Sequence, residues 1–448
     1  MQKIFSYIRP YILILLATLS CFVIGCSAKS SYTIDLMPAP LLYHQNTSEV
    51  FNLTYPFTGA DLPELFYATN REPSPDPSEM YGVKRGGVLH LGTAEIMMGK
   101  GDFSWEEARR ISLLKNRTDK YPLKVRSVNE IGILGLSLTP FYADKILEKG
   151  AVVKDVQFAS RINRQLAQSR GKDIYIYVPG YKVNFDNPIL VASELWHFLG
   201  YKGVFVAFSW PATPKTLAYL SDLETAELSS YYLRIFIEYL AKSTKAERIH
   251  VLGYSAGTQV VEKAMFQLTL AYKHAPKDSI KNLRLGHIML VGSDLDAEIF
   301  GANLQEGMLD VADDMTVYMS GTDTALGLSS WIFNRARLGQ APKDMAESVK
   351  TYLEDNPKLR LIDVTKASSA NTGNGHAYFR QSPWVSSDIL MTLMYNASPK
   401  ERGLVMEEGW PVWTFPADYM ERLKEDLTRR LSKSTSDGAL AKTPRNAE

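Results

Sequence analysis

The sequence predicts an α/β fold: a mostly parallel sheet with helices on both faces, preceded by a region of short strands. Two observations carry this. Six short segments, from "KDIYIYVPG" to "LRLIDVT", are apolar on both faces, as strands covered from two sides must be. Several of the stretches between them read as amphipathic helices, which is the alternation of a covered parallel sheet. With 448 residues, 45% of them hydrophobic, there is enough chain for one large core.

The elements follow in order from about Val156. "FASRINRQLAQSRG" reads as a helix ending at Gly171, and "KDIYIYVPG" as a buried strand. "NPILVASELWHFLG" has Asn187 as N-cap, Pro188 at the first helical position and Gly200 past the end. "GVFVAFSWP" is the next strand. Ser221 and Glu224 have the spacing of a capping box, opening a long helix with Ala226, Leu233, Phe236, Ile237 and Leu240 on one face. "RIHVLGYS" is a strand and "AGTQVVEKAMFQLTLAY" a helix. "LGHIMLVGSD", "MTVYMSG" and "LRLIDVT" are three further strands.

The expected boundaries are a signal segment at 1–25, a tether at 26–50 and an N-terminal extension packed on the main domain at 51–150. The main domain covers 151–431, and a disordered tail rich in Ser, Thr, Lys and Ala covers 432–448. Lys plus Arg number 50 against 49 Asp plus Glu, and no basic stripe is interleaved with aromatics. This argues against nucleic acid as a partner.

"GYSAG", Gly253 to Gly257, matches G-x-S-x-G. A strand is expected before it and a helix after it, the setting of a nucleophile elbow in an α/β-hydrolase fold. The helix start would direct free N–H groups at a developing oxyanion. A serine hydroxyl needs a base. Of the seven histidines, His44, His90, His197 and His250 precede Ser255 and fail the order Ser, acid, His. His274 reads as a solvated residue at a helix end and His287 as a core histidine within a strand. His376, in the loop "NTGNGHAYF", is placed as a base. For the orienting acid, Asp323 follows the penultimate strand, the usual position. Asp294 is the alternative one strand earlier, although Asp294 and Asp296 read first as helix caps. The oxyanion donors expected are the backbone N–H groups of Tyr181 and Ala256. No metal-ligand spacing appears, and this chemistry needs no cofactor.

The ordered set of motifs resembles a bacterial family of α/β hydrolases of uncertain function, of esterase or lipase type. It comprises "FYATNR", "YGVKRGGVLHLG", "YIYVPGYKVNF", "FVAFSWP", "GYSAG", "GSDLDAEIF", "VYMSGTDTALGLS" and "GHAYF", spread over about Leu65 to Leu390. The resemblance implies Ser255 as nucleophile, His376 as base and Asp323 as acid. It also marks a departure. The family pattern reads His-Gly-Tyr in the oxyanion turn, where this chain has Pro179-Gly180-Tyr181.

The first residues carry a second resemblance. Lys3 and Arg9 precede an apolar run, Tyr11 to Gly25, as in a secretory signal. "VIGC" resembles a bacterial lipobox, which implies cleavage and acylation at Cys26; an uncleaved signal anchor is the alternative. Cys21 leaves with the signal, so Cys26 has no partner for a disulfide. Ser27 after the cysteine goes with outer-membrane sorting in such lipoproteins. The expectation is an exported serine ester hydrolase, anchored in the outer membrane and facing the periplasm, that acts on a small-molecule or lipid ester. A non-catalytic binding or scaffold module is the competing expectation. An acyltransferase or peptidase would use the same triad.

Overall fold

Twelve strands hydrogen-bond into one sheet in the computed structural model, which describes residues 32–45, 64–99, 105–114, 117–213, 219–333 and 335–440. In chain order they are β1 (Thr33–Asp35), β2 (Leu65–Pro73), β3 (Tyr81–Met98), β4 (Pro122–Ile133), β5 (Ile174–Val178), β6 (Val204–Phe208), β7 (Ile249–Tyr254), β8 (Leu285–Val291), β9 (Asp314–Met319), β10 (Leu359–Asp363), β11 (Val405–Glu407) and β12 (Trp410–Thr414). Their spatial order is β1-β4-β3-β2-β6-β5-β7-β8-β9-β10-β12-β11. From β2 to β12 every neighbouring pair is parallel. The pairs β2–β3, β3–β4, β1–β4 and β11–β12 are antiparallel.

The central strands bury both faces, which is why they read as continuous apolar runs. Ile174, Ile176 and Val178 of β5 point into one core with Phe158, Ile162, Phe236, Leu240 and Val261. Tyr175 and Tyr177 point into the other, with Ile189, Leu195, Trp196, Val385 and Ile389. The period of two along the strand divides one segment between two cores.

Five expectations change. Residues 64–133 are not an extension packed on the domain, because β2, β3 and β4 are strands of the same sheet. Part of the expected tether is docked rather than loose. β1 pairs with β4, and Leu36, Met37, Leu41, Leu42 and Tyr43 are buried. Their apolar surface outweighs the Pro-rich composition around them. The helix Asp186–Phe198 starts before Asn187, whose N–H is accepted by Asn184 Oδ1 at 3.1 Å, so Asn184 acts as the cap. The helix Tyr219–Ser243 already contains Ser221, which removes the capping box from a helix start. The last helix, Tyr419–Leu440, runs past Ser432 into the expected tail. The residues before it, from Glu421 to Leu431, are rich in Arg, Lys, Glu and Leu, good helix formers whose helix carries on into the Ser/Thr-rich stretch. The signal run, Cys26 and residues 441–448 lie outside the described residues.

Candidate active site

Ser255 sits between β7 and the helix Gly257–Tyr272. Its φ is +52°, in the left-handed region, where a residue with a Cβ is strained by about 1–3 kcal/mol. Its N–H donates to Val291 O of β8 at 2.9 Å, which ties the turn to the neighbouring strand. The backbones crowd here: a Cβ on Gly257 would lie 2.2 Å from Pro179 O. The Ala256 N–H, buried beside the serine, donates to no described residue. Ser255 lines a cleft of about 470 Å³ together with Tyr181, Asp294, His376, Phe379 and Arg380.

His376 hangs from the loop after β10. Its Nδ1 lies 2.6 Å from Asp323 Oδ2, and the Asp323 side chain is wholly buried. Asp323 Oδ1 accepts Leu326 N–H at 3.0 Å, so both carboxylate oxygens are engaged. With Nδ1 committed to the acid, Nε2 is the ring nitrogen left for chemistry. The ring packs against Tyr254 at a centroid distance of 5.1 Å. Two residues on, Tyr378 OH donates to Tyr318 O at 2.8 Å and accepts Gly292 N–H at 2.6 Å. One phenol thus binds the histidine loop to β9 and to the turn after β8.

Asp294 lines the cleft without reaching the ring nitrogen that Asp323 holds. Its carboxylate accepts Ser329 Oγ at 2.7 Å and faces Arg337 Nε at 3.5 Å. Asp296 caps the helix Ala297–Gln305, accepting Glu298 N–H at 2.9 Å and Ile299 N–H at 3.2 Å. The other histidines stand as follows. His287 Nδ1 meets Asp314 at 2.8 Å, His250 Nδ1 accepts His287 N–H at 2.9 Å, and His274 is exposed. His197 is buried between Ser112 and Tyr201.

The turn after β5 is held by residues that sequence reasoning missed. Trp210 Nε1 donates to Pro179 O at 2.7 Å. Gly180 brings the chain against the serine; a Cβ there would lie 2.9 Å from Ser255 Cβ. Arg71 is wholly buried. Its guanidinium donates to Val183 O at 3.0 Å, Gly82 O at 3.0 Å, Ala212 O at 3.3 Å and Ser209 Oγ at 3.1 Å. Burial pulls its pKa down to about 9, against the pull of Asp222 and Asp186. One side chain thereby joins the β2–β3 hairpin, the turn after β5 and the loop after β6. A charged residue inside the apolar strand "LFYATNREP" was the signal available in the sequence.

A mostly parallel sheet with a serine on a left-handed turn between strand and helix defines the α/β-hydrolase fold. Residues 154–394, more than half of the chain, match the family described as "Alpha/beta hydrolase of unknown function (DUF900)". The chain belongs to that family. A candidate cell surface hydrolase from Lactobacillus plantarum WCFS1, known from its crystal structure, is similar at 13% identity and a TM-score of 0.23. The likeness covers 42% of this chain and 90% of that one. No curated protein matches the chain significantly.

Proposed function

We propose that this α/β hydrolase is a serine ester hydrolase. The observation that carries the reading is the strained Ser255 in one cleft with His376, whose Nδ1 lies 2.6 Å from the buried Asp323. Ser255 Oγ attacks the acyl carbonyl carbon while His376 Nε2 takes the hydroxyl proton. Asp323 orients the ring and stabilises the imidazolium. The oxyanion is held by the N–H groups of Tyr181 and Ala256. His376 returns the proton to the departing alcohol oxygen, leaving an acyl-serine. Water then attacks the acyl carbon, gives its proton to His376, and the carboxylic acid leaves as Ser255 regains its hydrogen.

Pro179 does not remove a donor from this scheme. Proline lacks only its own N–H, and the donor assigned here lies two residues later. Its carbonyl, anchored by Trp210, fixes the turn from which Tyr181 projects. The cleft walls include Tyr177, Val191, Leu326 and Phe379, suited to an apolar acyl or alcohol group. Acylation at Cys26 would anchor the enzyme to the outer membrane, facing the periplasm. Two or more acyl chains are needed for stable anchoring.

The test is labelling of the intact full-length protein by a fluorophosphonate probe near neutral pH. Wild type should label and Ser255→Ala should not. Equal labelling of both, or none of wild type, rules the mechanism out. Loss of Cys26 by substitution should release the protein from membranes, and retention there would remove the anchoring part of the proposal.

A further inference from the structure

The motif "YGVKRGGVLHLG" takes no part in the chemistry above. It carries β3 past a second cavity of about 610 Å³, lined by none of the residues assigned to the triad. His90 lies in its wall with a side chain only 9% exposed. Its Nδ1 is 3.1 Å from Glu130 Oε1, and Tyr81 OH donates to Glu130 Oε2 at 2.7 Å. That leaves Nε2, which has no hydrogen-bond partner among the described residues and is not sealed from solvent. A nine-tenths buried imidazole, fixed on one side and open on the other, is built to meet something in the cavity.

The charge around it says what. Arg85, Lys145 and Lys149 line the same cavity, and none makes an ion pair with a described residue. Against these three cations the lining offers Glu72 and Glu130, and Glu130 is already engaged by His90 and Tyr81. Val88 and Ile146 supply apolar wall. Gly87 lets the Tyr142 ring close over the strand; a Cβ there would fall 2.7 Å from the ring.

We propose that this cavity is a binding site for a small free molecule with an anionic head, phosphate or carboxylate, on a compact apolar body. The head meets Arg85, Lys145, Lys149 and His90 Nε2, and the body lies against Val88 and Ile146. The site does not depend on the ester-hydrolase reading, because no residue of the triad touches it.

Calorimetric titration of the full-length protein in a non-ionic detergent tests it, with phenyl phosphate, benzoate and inorganic phosphate as probes. Phenyl phosphate or benzoate should bind saturably, one per chain, and more tightly than inorganic phosphate, which cannot use the apolar wall. The double variant Lys145→Glu, Lys149→Glu should bind at least about tenfold more weakly. Both lysines are exposed, so this variant should melt with wild type. His90→Gln should weaken binding as well, and Ser255→Ala should leave it unchanged. The site is refuted if no probe saturates, if the lysine variant binds like wild type, or if Ser255→Ala abolishes binding.

Discussion

Adding one methyl group at Gly257 tests how the serine turn and the turn after β5 depend on each other. The Cβ of Gly257→Ala would sit 2.2 Å from Pro179 O, 2.6 Å from Val178 O and 2.8 Å from Pro179 C. All three are backbone atoms. Ordinary contact begins near 3.4 Å, so the two segments must part by about 1 Å. The turn cannot retreat freely, because Pro179 O is also held by Trp210 Nε1 at 2.7 Å, a bond that a shift of the carbonyl would strain. Overpacking of this kind costs about 1–3 kcal/mol. Alanine regains at most about 1 kcal/mol of helix propensity. The net expectation is a loss of about 1–2 kcal/mol. The effect on rate is larger, since a displacement of about 1 Å between reacting groups and their donors lowers rates by about 10²-fold. The assay is the second-order rate of fluorophosphonate labelling beside a thermal melt of the same sample. If Gly257→Ala labels and melts like wild type, the close approach of the two turns does not position the site.

Three further outcomes are expected. Asp323→Asn should lower hydrolysis of a chromogenic short-chain ester by about 10⁴-fold, and a loss of under about tenfold would remove Asp323 from the triad. Ser255→Gly should relieve the left-handed strain and, after the added chain entropy, raise stability by about 1 kcal/mol in urea melts; a less stable variant contradicts the strain. Burial, with Arg117 adding to it, pushes the pKa of His197 down to about 3. The folded ring stays neutral while the unfolded chain binds a proton below about pH 6.5, so stability falls as pH drops through that value. The fall reaches about 2 kcal/mol by about pH 5, and His197→Gln should flatten it. Equal slopes in denaturant midpoint against pH for the two proteins would exclude His197 as the cause.

The parallel strands were legible because each is covered on two sides and therefore apolar throughout. "GYSAG" was legible for a local reason: the bend between strand and helix sits within five residues. His376 emerged by elimination among seven histidines. Asp323 was preferred to Asp294 in the sequence because it follows the penultimate strand, and its Oδ2 lies 2.6 Å from His376 Nδ1, whereas Asp294 meets Ser329 and Arg337. Arg71, Trp210 and Tyr378 act through partners far away in the chain, from Arg71 to Val183 or Trp210 to Pro179, and no local pattern marks such pairs. β2 to β4 were misassigned to an extension because antiparallel strands rich in glycine and joined by polar turns lack the signature of a covered sheet. β11 and β12, three and five residues long, are too short to show any period.

The place of β2 between β3 and β6 has a consequence for how the chain folds. β2, β3 and β4 can zip together as a local meander soon after synthesis. The other edge of β2 must wait for β6, and Thr69 Oγ1 finally meets Ser209 O from 140 residues away. Closing so long a loop is slow, and a parallel pairing of this kind raises the contact order. During that interval the nascent chain displays an unpaired strand edge, a template for association with other chains. Chains arrested between β4 and β6 should therefore be the aggregation-prone species, and a holdase chaperone would find its substrate there rather than in the finished protein.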